Sequence, residues 1–405
     1  MTRGRAVFAF VLAASFFAYA FVQRVAPSVI VNELMSEFAV GATVLGNLSA
    51  FYFYAYVPMQ MPVGMLMDRF GPRRLMSVSV ALASAGAVLF ALAPSVELAY
   101  LGRFMVGFGS AFGWIGILTV ATLWLPPERF ALLTGIAQGI GMIGAVFGQA
   151  PLAYAVAAWG WRASLLALAL VGVVLAVAIF LVVADKRPAT NANTTGFTDG
   201  IRAAVRARDA WLAAAYGFAM TGTMLAFAGL WAVPWLMQTH GYERGAAALM
   251  ASLMFLGWGG GSPAIGFVVD RFGVDRMRAM TVLGVGMTAS LAAVLYLPMP
   301  SVALAVLMVV NGACASGMIL CYGHARDHTP AEASGATYGL VNTAVVGSGG
   351  VLQPVIGWLL DRNWDGAVLG GARIYGAEAY DRAFSVLLVV AGAGTVLTLF
   401  MRKRV

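Results

Sequence analysis

The chain has 405 residues, 61% of them hydrophobic and only 10% charged, and its mean hydropathy is +0.85. Soluble globular domains carry about 25% charged residues, so this composition excludes an ordinary water-soluble protein. The formal charge of +8 would suit a nucleic-acid partner, but the placement of the charges excludes one.

Apolar runs of roughly 20 residues, enough to cross about 30 Å of hydrocarbon, occur along the whole chain. In order they lie at 6–31, 41–66, 75–94, 97–124, 131–157, 162–184, 211–238, 245–269, 278–298, 301–324, 333–360 and 381–401. Backbone polar groups in lipid need internal partners, so such runs are helices or barrel strands. Barrel strands need only about 10 alternating residues, and these runs are longer and do not alternate. The sequence therefore predicts an all-α membrane protein with twelve transmembrane helices. The first run imitates a secretory signal, with Arg3 and Arg5 ahead of it and Ala18-Tyr19-Ala20 as a small-residue cleavage site. It continues past Ala20, and cutting there would leave an odd number of crossings, so an uncleaved first helix is expected. Between runs six and seven lies DKRPATNANTTGFTDGIRAAVRARDA, polar and ending in a basic amphipathic piece. The expected organisation is a six-helix bundle over 1–184, a cytoplasmic linker with an amphipathic helix over 185–210, and a second bundle over 211–405.

Most of the 25 Lys and Arg fall in loops that share a side with the N-terminus, among them Arg69, Arg73, Arg74, Arg129, Lys186, Arg271, Arg276 and Lys403. Such a bias places both termini in the cytoplasm, as expected for a multi-pass protein of a bacterial inner membrane. The basic balance is topology, and membrane lipid rather than nucleic acid is the surrounding partner. Cys314 and Cys321 stand two helical turns apart, about 10 Å, too far for a disulfide.

One charged phrase occurs twice, half a chain apart: GMLMDRFGPRR at 64–74 and GFVVDRFGVDRMR at 266–278. Each closes the second helix of its half. Gly71 and Gly273 permit a tight turn, and Gly64 and Gly266 allow close helix approach. Asp68 and Asp270 stand at helix ends where a carboxylate can pair with a basic side chain or a helix N-terminus. With Arg69, Arg73, Arg74 and Arg271 they are candidate conformational latches, since equivalent polar contacts suit bundles that rock against each other.

These residues resemble the major facilitator superfamily. Its loop pattern G-x-L-x-D-R-x-G-x-R-R is carried by Gly64, Leu66, Asp68, Arg69, Gly71, Arg73 and Arg74, and its R-x-x-x-G-x-G by Arg103, Gly107 and Gly109. The helix 5 pattern of drug antiporters is only partly present, in Gly144, Gly148 and Pro151, without its Gly-Pro pair. The resemblance implies two pseudo-symmetric six-helix bundles, the major facilitator fold, working by alternating access around a cavity lined by helices 1, 4, 7 and 10.

An ionisable side chain at membrane depth costs about 2.5–3.5 kcal/mol on the milder insertion scale, which makes each one a candidate site. Arg24 lies in FVQRVAPSV, where Pro27 leaves the carbonyl of Gln23 without its usual partner. Arg103 lies at comparable depth in the fourth helix. No Asp or Glu falls mid-helix, so Arg24 needs water, a dipole, an outer acid such as Glu33 or Glu37, or an anionic ligand, whose carboxylate or phosphate its planar fork suits. Candidate substrate-binding residues are Arg24, Gln23, Tyr19, Tyr56, Arg103, Trp114, Trp231, Trp235, Asn311 and Tyr322. Asn47, Gln60, Gln138, Asn342 and Gln353 are further amides at membrane depth.

Arg24 followed by Pro27 and Ser28 resembles the organic-anion branch of the superfamily, although Gln23 stands where that branch often has an acid. The expected activity is secondary transport of a small organic anion, a carboxylate or phosphate ester, by a monomer, with an amphipath exporter and a non-transporting receptor as alternatives. Drawing in one negative charge against an inside-negative potential costs about 2.3 kcal/mol per 100 mV, so a proton, sodium ion or exchanged anion is expected. Glu33 and His324 are the candidate proton carriers, though His324, beside Asp327 and His328, also reads as a solvated loop residue. No metal ligand set, cofactor or catalytic motif is expected: His-Glu-x-x-His, a nucleophile elbow and a phosphate loop with Lys are all absent, which excludes the usual enzymes.

Overall fold

A computed structural model describes residues 3–60, 62–126, 130–185, 197–330 and 333–402, almost all of them helical. Eleven helices among the described residues are long and apolar enough to cross a bilayer. The remaining crossing is the second, α3 (Ala42–Met59), prolonged by α4 (Pro62–Phe70); its tyrosines and Asn47 dilute its hydropathy, and the short α2 (Val31–Phe38) meets α3 at 113°. The first crossing is α1 (Arg3–Val25). The third to sixth are α5 (Pro72–Leu92), α6 (Val96–Ser110) with α7 (Phe112–Trp124), α8 (Phe130–Phe147) with α9 (Ala150–Trp159), and α10 (Trp161–Val182). A surface helix α11 (Phe197–Arg206) leads to the second bundle. Its crossings are α12 (Arg208–Ala226) with α13 (Ala232–His240), α14 (Arg244–Phe272), α15 (Arg276–Tyr296), α16 (Ser301–Ala315) with α17 (Ile319–Asp327), α18 (Ser334–Arg362) and α19 (Ala377–Leu397). A small hairpin, β1 (Val368–Leu369) with β2 (Ala372–Arg373), joins the last two. Nothing in the apolar pattern announces it.

Both termini share one face. The bundles meet where α3 packs along α18 and α8 along α14. Glycine makes the approach possible in the half remote from the termini: a Cβ at Gly46 would lie 2.6 Å from the Gln353 carbonyl, and one at Gly357 would lie 2.2 Å from that of Ala42. Toward the termini, Cβ positions at Gly64, Gly135, Gly139, Gly266 and Gly335 meet nothing within 4 Å. The bundles are joined at the far face and leave open space beside these glycines toward the termini.

The far-face seal is polar. Asp361, at the end of α18, accepts from the backbone N–H groups of Ala42 (3.0 Å) and Thr43 (2.8 Å), from Thr43 Oγ1 (2.6 Å) and from the Tyr375 hydroxyl (2.6 Å). A carboxylate from one bundle thus caps the helix N-terminus of the other, where the unsatisfied N–H groups favour negative charge. Glu33 and Arg244 form a second bridge between the bundles, and Ser36 donates to the Gly370 carbonyl.

Candidate functional site

The site is built on two interrupted helices. Pro27 ends α1 in a 3-10 turn, Ala26–Val29, all of it buried. The equivalent seventh crossing is interrupted by a π-helical stretch, Phe227–Trp231, ahead of Pro234. Each interruption frees carbonyls inside hydrocarbon, where they must find donors. At the first, Arg103 supplies them: its guanidinium donates to the carbonyls of Gln23 (2.7 Å) and Arg24 (3.5 Å), and also to that of Ser49 on the neighbouring α3 (3.4 Å). At the second, Gln353 Nε2 donates to the Leu225 carbonyl (2.9 Å), and Gln149 Nε2 reaches across from the first bundle to that of Ala228 (2.8 Å).

Arg24 projects from the first kink and is 5% exposed. Its guanidinium carbon lies 4.3 Å from the ring centre of Phe21, 5.2 Å from those of Tyr52 and Tyr56, and 6.0 Å from that of Phe53. One terminal nitrogen donates to the Tyr52 hydroxyl at 3.4 Å, and the buried Nε has no hydrogen-bond partner. Ring faces attract a desolvated cation by about 2 kcal/mol or more each, but none of them carries the net negative charge of a carboxylate. The outer acids do not provide that charge: Glu33 is paired with Arg244, and Glu37 holds Arg162 through two bonds. From the cage a polar chain runs into the second bundle. Gln60 Nε2 donates to the Tyr56 carbonyl (3.5 Å), Asn342 to Gln60 Oε1 (2.7 Å), and Tyr322 to Asn342 Oδ1 (2.8 Å).

Arg24, Tyr56 and Tyr322 are therefore brought together, with Tyr52, Gln60 and Asn342 beside them. Other expected ligands stand elsewhere. Gln23 donates to Tyr19 (2.8 Å), whose hydroxyl meets Ser84 (3.4 Å), so both face the third and sixth crossings inside the first bundle. Arg103 directs both terminal nitrogens at backbone carbonyls and leaves only Nε without a hydrogen-bond partner. Trp114 packs at a tilt against Phe17, with ring centres 5.1 Å apart. Trp231 donates to the Gln353 carbonyl, and Trp235 is enclosed by Phe227, Phe384 and His240. Asn311 donates to Met287 O and Ser290 Oγ of the ninth crossing, both at 2.9 Å. These side chains pack within their own bundles.

Of the latch residues, Gly71 and Gly273 have φ of +80° and +60°, as tight turns need. Arg73 docks on the end of α10: Nε donates to the Phe180 carbonyl (2.7 Å), the guanidinium covers the Phe180 ring, and its backbone N–H donates to Asp185 (3.0 Å). Arg69, Arg74 and Arg271 are exposed. In the second half Arg276 pairs with Asp327. The side chains of Asp68 and Asp270, and linker residues 186–196, lie outside the described residues. His324 is not a solvated loop residue: it is 4% exposed and faces Asp209 at 3.4 Å. Sequence reading also missed Gln149 and Asp361. The signals were a Gln two residues before Pro151 inside a crossing, and an Asp361-Arg362 pair that repeats the Asp-Arg of the duplicated phrase.

Two six-helix bundles, each with an interrupted first helix at their interface, and a buried cation beside the first interruption define a polytopic membrane carrier rather than an enzyme. The chain belongs to the Major Facilitator Superfamily, whose sequence profile matches residues 11–354. It is 25% identical to the probable sulfoacetate transporter SauU of Cupriavidus necator, covering 94% of this chain and 90% of that one. It is 28% identical to the gentisate transporter of Corynebacterium glutamicum, over 88% and 82%. A shorter match, 32% identical, joins 37% of the chain to 34% of the uncharacterized transporter YybO of Bacillus subtilis. In fold it matches an inward-facing, unoccupied bacterial homologue of the lysosomal transporter Spinster, with TM-score 0.83, 18% identity and coverage of 99% and 98%.

Proposed function

We propose that this transporter moves a small organic anion by alternating access, with Arg24 as the anion's anchor and Tyr52, Tyr56, Gln60, Tyr322 and Asn342 around it. The observation that carries the reading is the caged guanidinium, which has no carboxylate partner among the described residues. A buried charge left without a counter-charge is costly, and a bound carboxylate offsets that cost while accepting from the idle Nε. The naming of two relatives for sulfoacetate and gentisate, both carboxylates, supports the same class. The polar chain from Tyr56 to Tyr322 lets one ligand engage both bundles, as coupling of occupancy to rocking requires.

The distribution of Lys and Arg supports cytoplasmic termini in a cell inner membrane, so the parted end faces the cytoplasm. Glu33 with Arg244 acts as the outer gate and, on protonation, as the coupling group, while the loops at 64–74 and 266–278 act as latches. The test is a binding screen of the purified, monomeric protein. Small aromatic and aliphatic carboxylates should raise Tm and hydrophobic cations should not; stabilisation by cations alone would overturn the reading.

A further inference from the structure

Remote from the Arg24 cage, at the termini-bearing end of the second bundle, Asp209, His324 and His328 converge. Asp209 is in the first turn of α12, His324 in the last turn of α17, and His328 caps that helix. One coordinating atom from each lies within 4.8 Å of the others. We propose that these three side chains form a binding site for a divalent transition-metal ion of the zinc type, independent of the anion site.

Four features carry the assignment. His324 Nε2 and Asp209 Oδ1 are 3.4 Å apart, long for a hydrogen bond. Two tetrahedral ligands each about 2.0–2.1 Å from one zinc ion stand at about that separation. His328 Nδ1 lies 2.9 Å from the His324 carbonyl. A carbonyl only accepts, so Nδ1 carries the proton and the Nε2 lone pair is left for a metal, the backbone-anchored arrangement usual for ligating histidines. The donor set, two imidazoles and one carboxylate, is that of open zinc sites with a place for water. Finally, a cavity of about 310 Å³ borders both histidines, with room for that water and a route of entry.

Positive charge nearby is already engaged or able to leave. Arg276 and Arg326 both pair with Asp327. Arg402 Nε lies 3.8 Å from Asp209 Oδ2, but its side chain is 71% exposed, which leaves it free to turn to solvent. The Arg402 backbone N–H also donates to Asp209 Oδ1 (2.9 Å), which orients the carboxylate. The ion would clasp the start of the seventh crossing to the end of the tenth, both within the second bundle.

The experiment uses full-length protein purified without a histidine tag and washed with chelator. Zinc is titrated calorimetrically, and cobalt(II) is followed by its visible ligand-field absorption. One equivalent should bind and raise Tm. His328→Ala, at a half-buried position, should unfold normally without metal yet bind zinc about tenfold or more weakly. Asp209→Asn should also weaken binding, and His240→Ala, at the remaining histidine, should not. Failure of the unaltered protein to bind saturably before zinc hydroxide precipitates would overturn the proposal. So would binding of unchanged affinity in both His328→Ala and Asp209→Asn.

Discussion

Replacing Gly357 by Ala tests the sealed far face directly. The added Cβ would stand 2.2 Å from the Ala42 carbonyl oxygen and 2.7 Å from its carbon. Both are backbone atoms held by the Asp361 cap, so no side-chain rotation relieves the clash, and α18 must move off α3. Overpacking of this kind costs about 1–3 kcal/mol. Because it falls only on the state in which these helices touch, it shifts the conformational equilibrium roughly 5- to 150-fold toward the far-open form. The assay replaces Cys314 and Cys321 by Ala and introduces Asn32→Cys, a position in the narrow seam beside Glu33 and Arg244. Labelling by a membrane-impermeant maleimide from the far side should accelerate about fivefold or more. Gly135→Ala is the control: its Cβ meets nothing within 4 Å, so labelling should stay unchanged while helix propensity improves by up to about 1 kcal/mol. Wild-type labelling and Tm in Gly357→Ala, or equal effects of the two substitutions, would refute the reasoning.

Three further outcomes are expected. Arg103→Lys keeps the charge but gathers its donors on one compact nitrogen, which cannot span carbonyls now met by two separate nitrogens of the planar fork, so Tm should fall by several degrees while residual protein binds substrate with little change in Kd; a large Kd change with unchanged Tm would make Arg103 a ligand instead. Asp361→Asn removes a charged acceptor from the α3 N-terminus and should weaken far-face closure by about 1.5–3 kcal/mol, read as faster labelling in the same Asn32→Cys background. Burial, then the adjacent Asp361, pushes the Tyr375 phenol above its ordinary range; it stays a donor to Asp361 through alkaline pH, and Tyr375→Phe should cost about 1 kcal/mol of the same closure at every pH tested.

The crossings and the Arg24–Pro27 break were legible because hydropathy and proline act locally. The facing of side chains was not. Helices that are apolar around most of their circumference carry little phase, so nothing in the chain distinguished Tyr56, which joins the cage, from Tyr19, which packs against Ser84. Nor could Asn311 be told from Asn342: one ties the ninth crossing to the tenth, the other bridges the bundles. The freed Gln23 carbonyl was foreseeable, but its donor, Arg103, stands 80 positions away. His324 was misread for a similar reason: its partner Asp209 is 115 positions away, across the second bundle.

The most direct measurement is equilibrium binding of a carboxylate that stabilises the unaltered protein, compared across wild type, Arg24→Lys and Arg24→Ala, with each fold checked by Tm. Losing one partner of a buried, hydrogen-bonded charge pair costs about 2–5 kcal/mol, so Arg24→Ala should weaken binding by roughly thirty-fold to several thousand-fold. Arg24→Lys, which keeps the charge but loses the planar fork, should fall between. A folded Arg24→Ala protein that binds the anion as tightly as wild type would contradict the account.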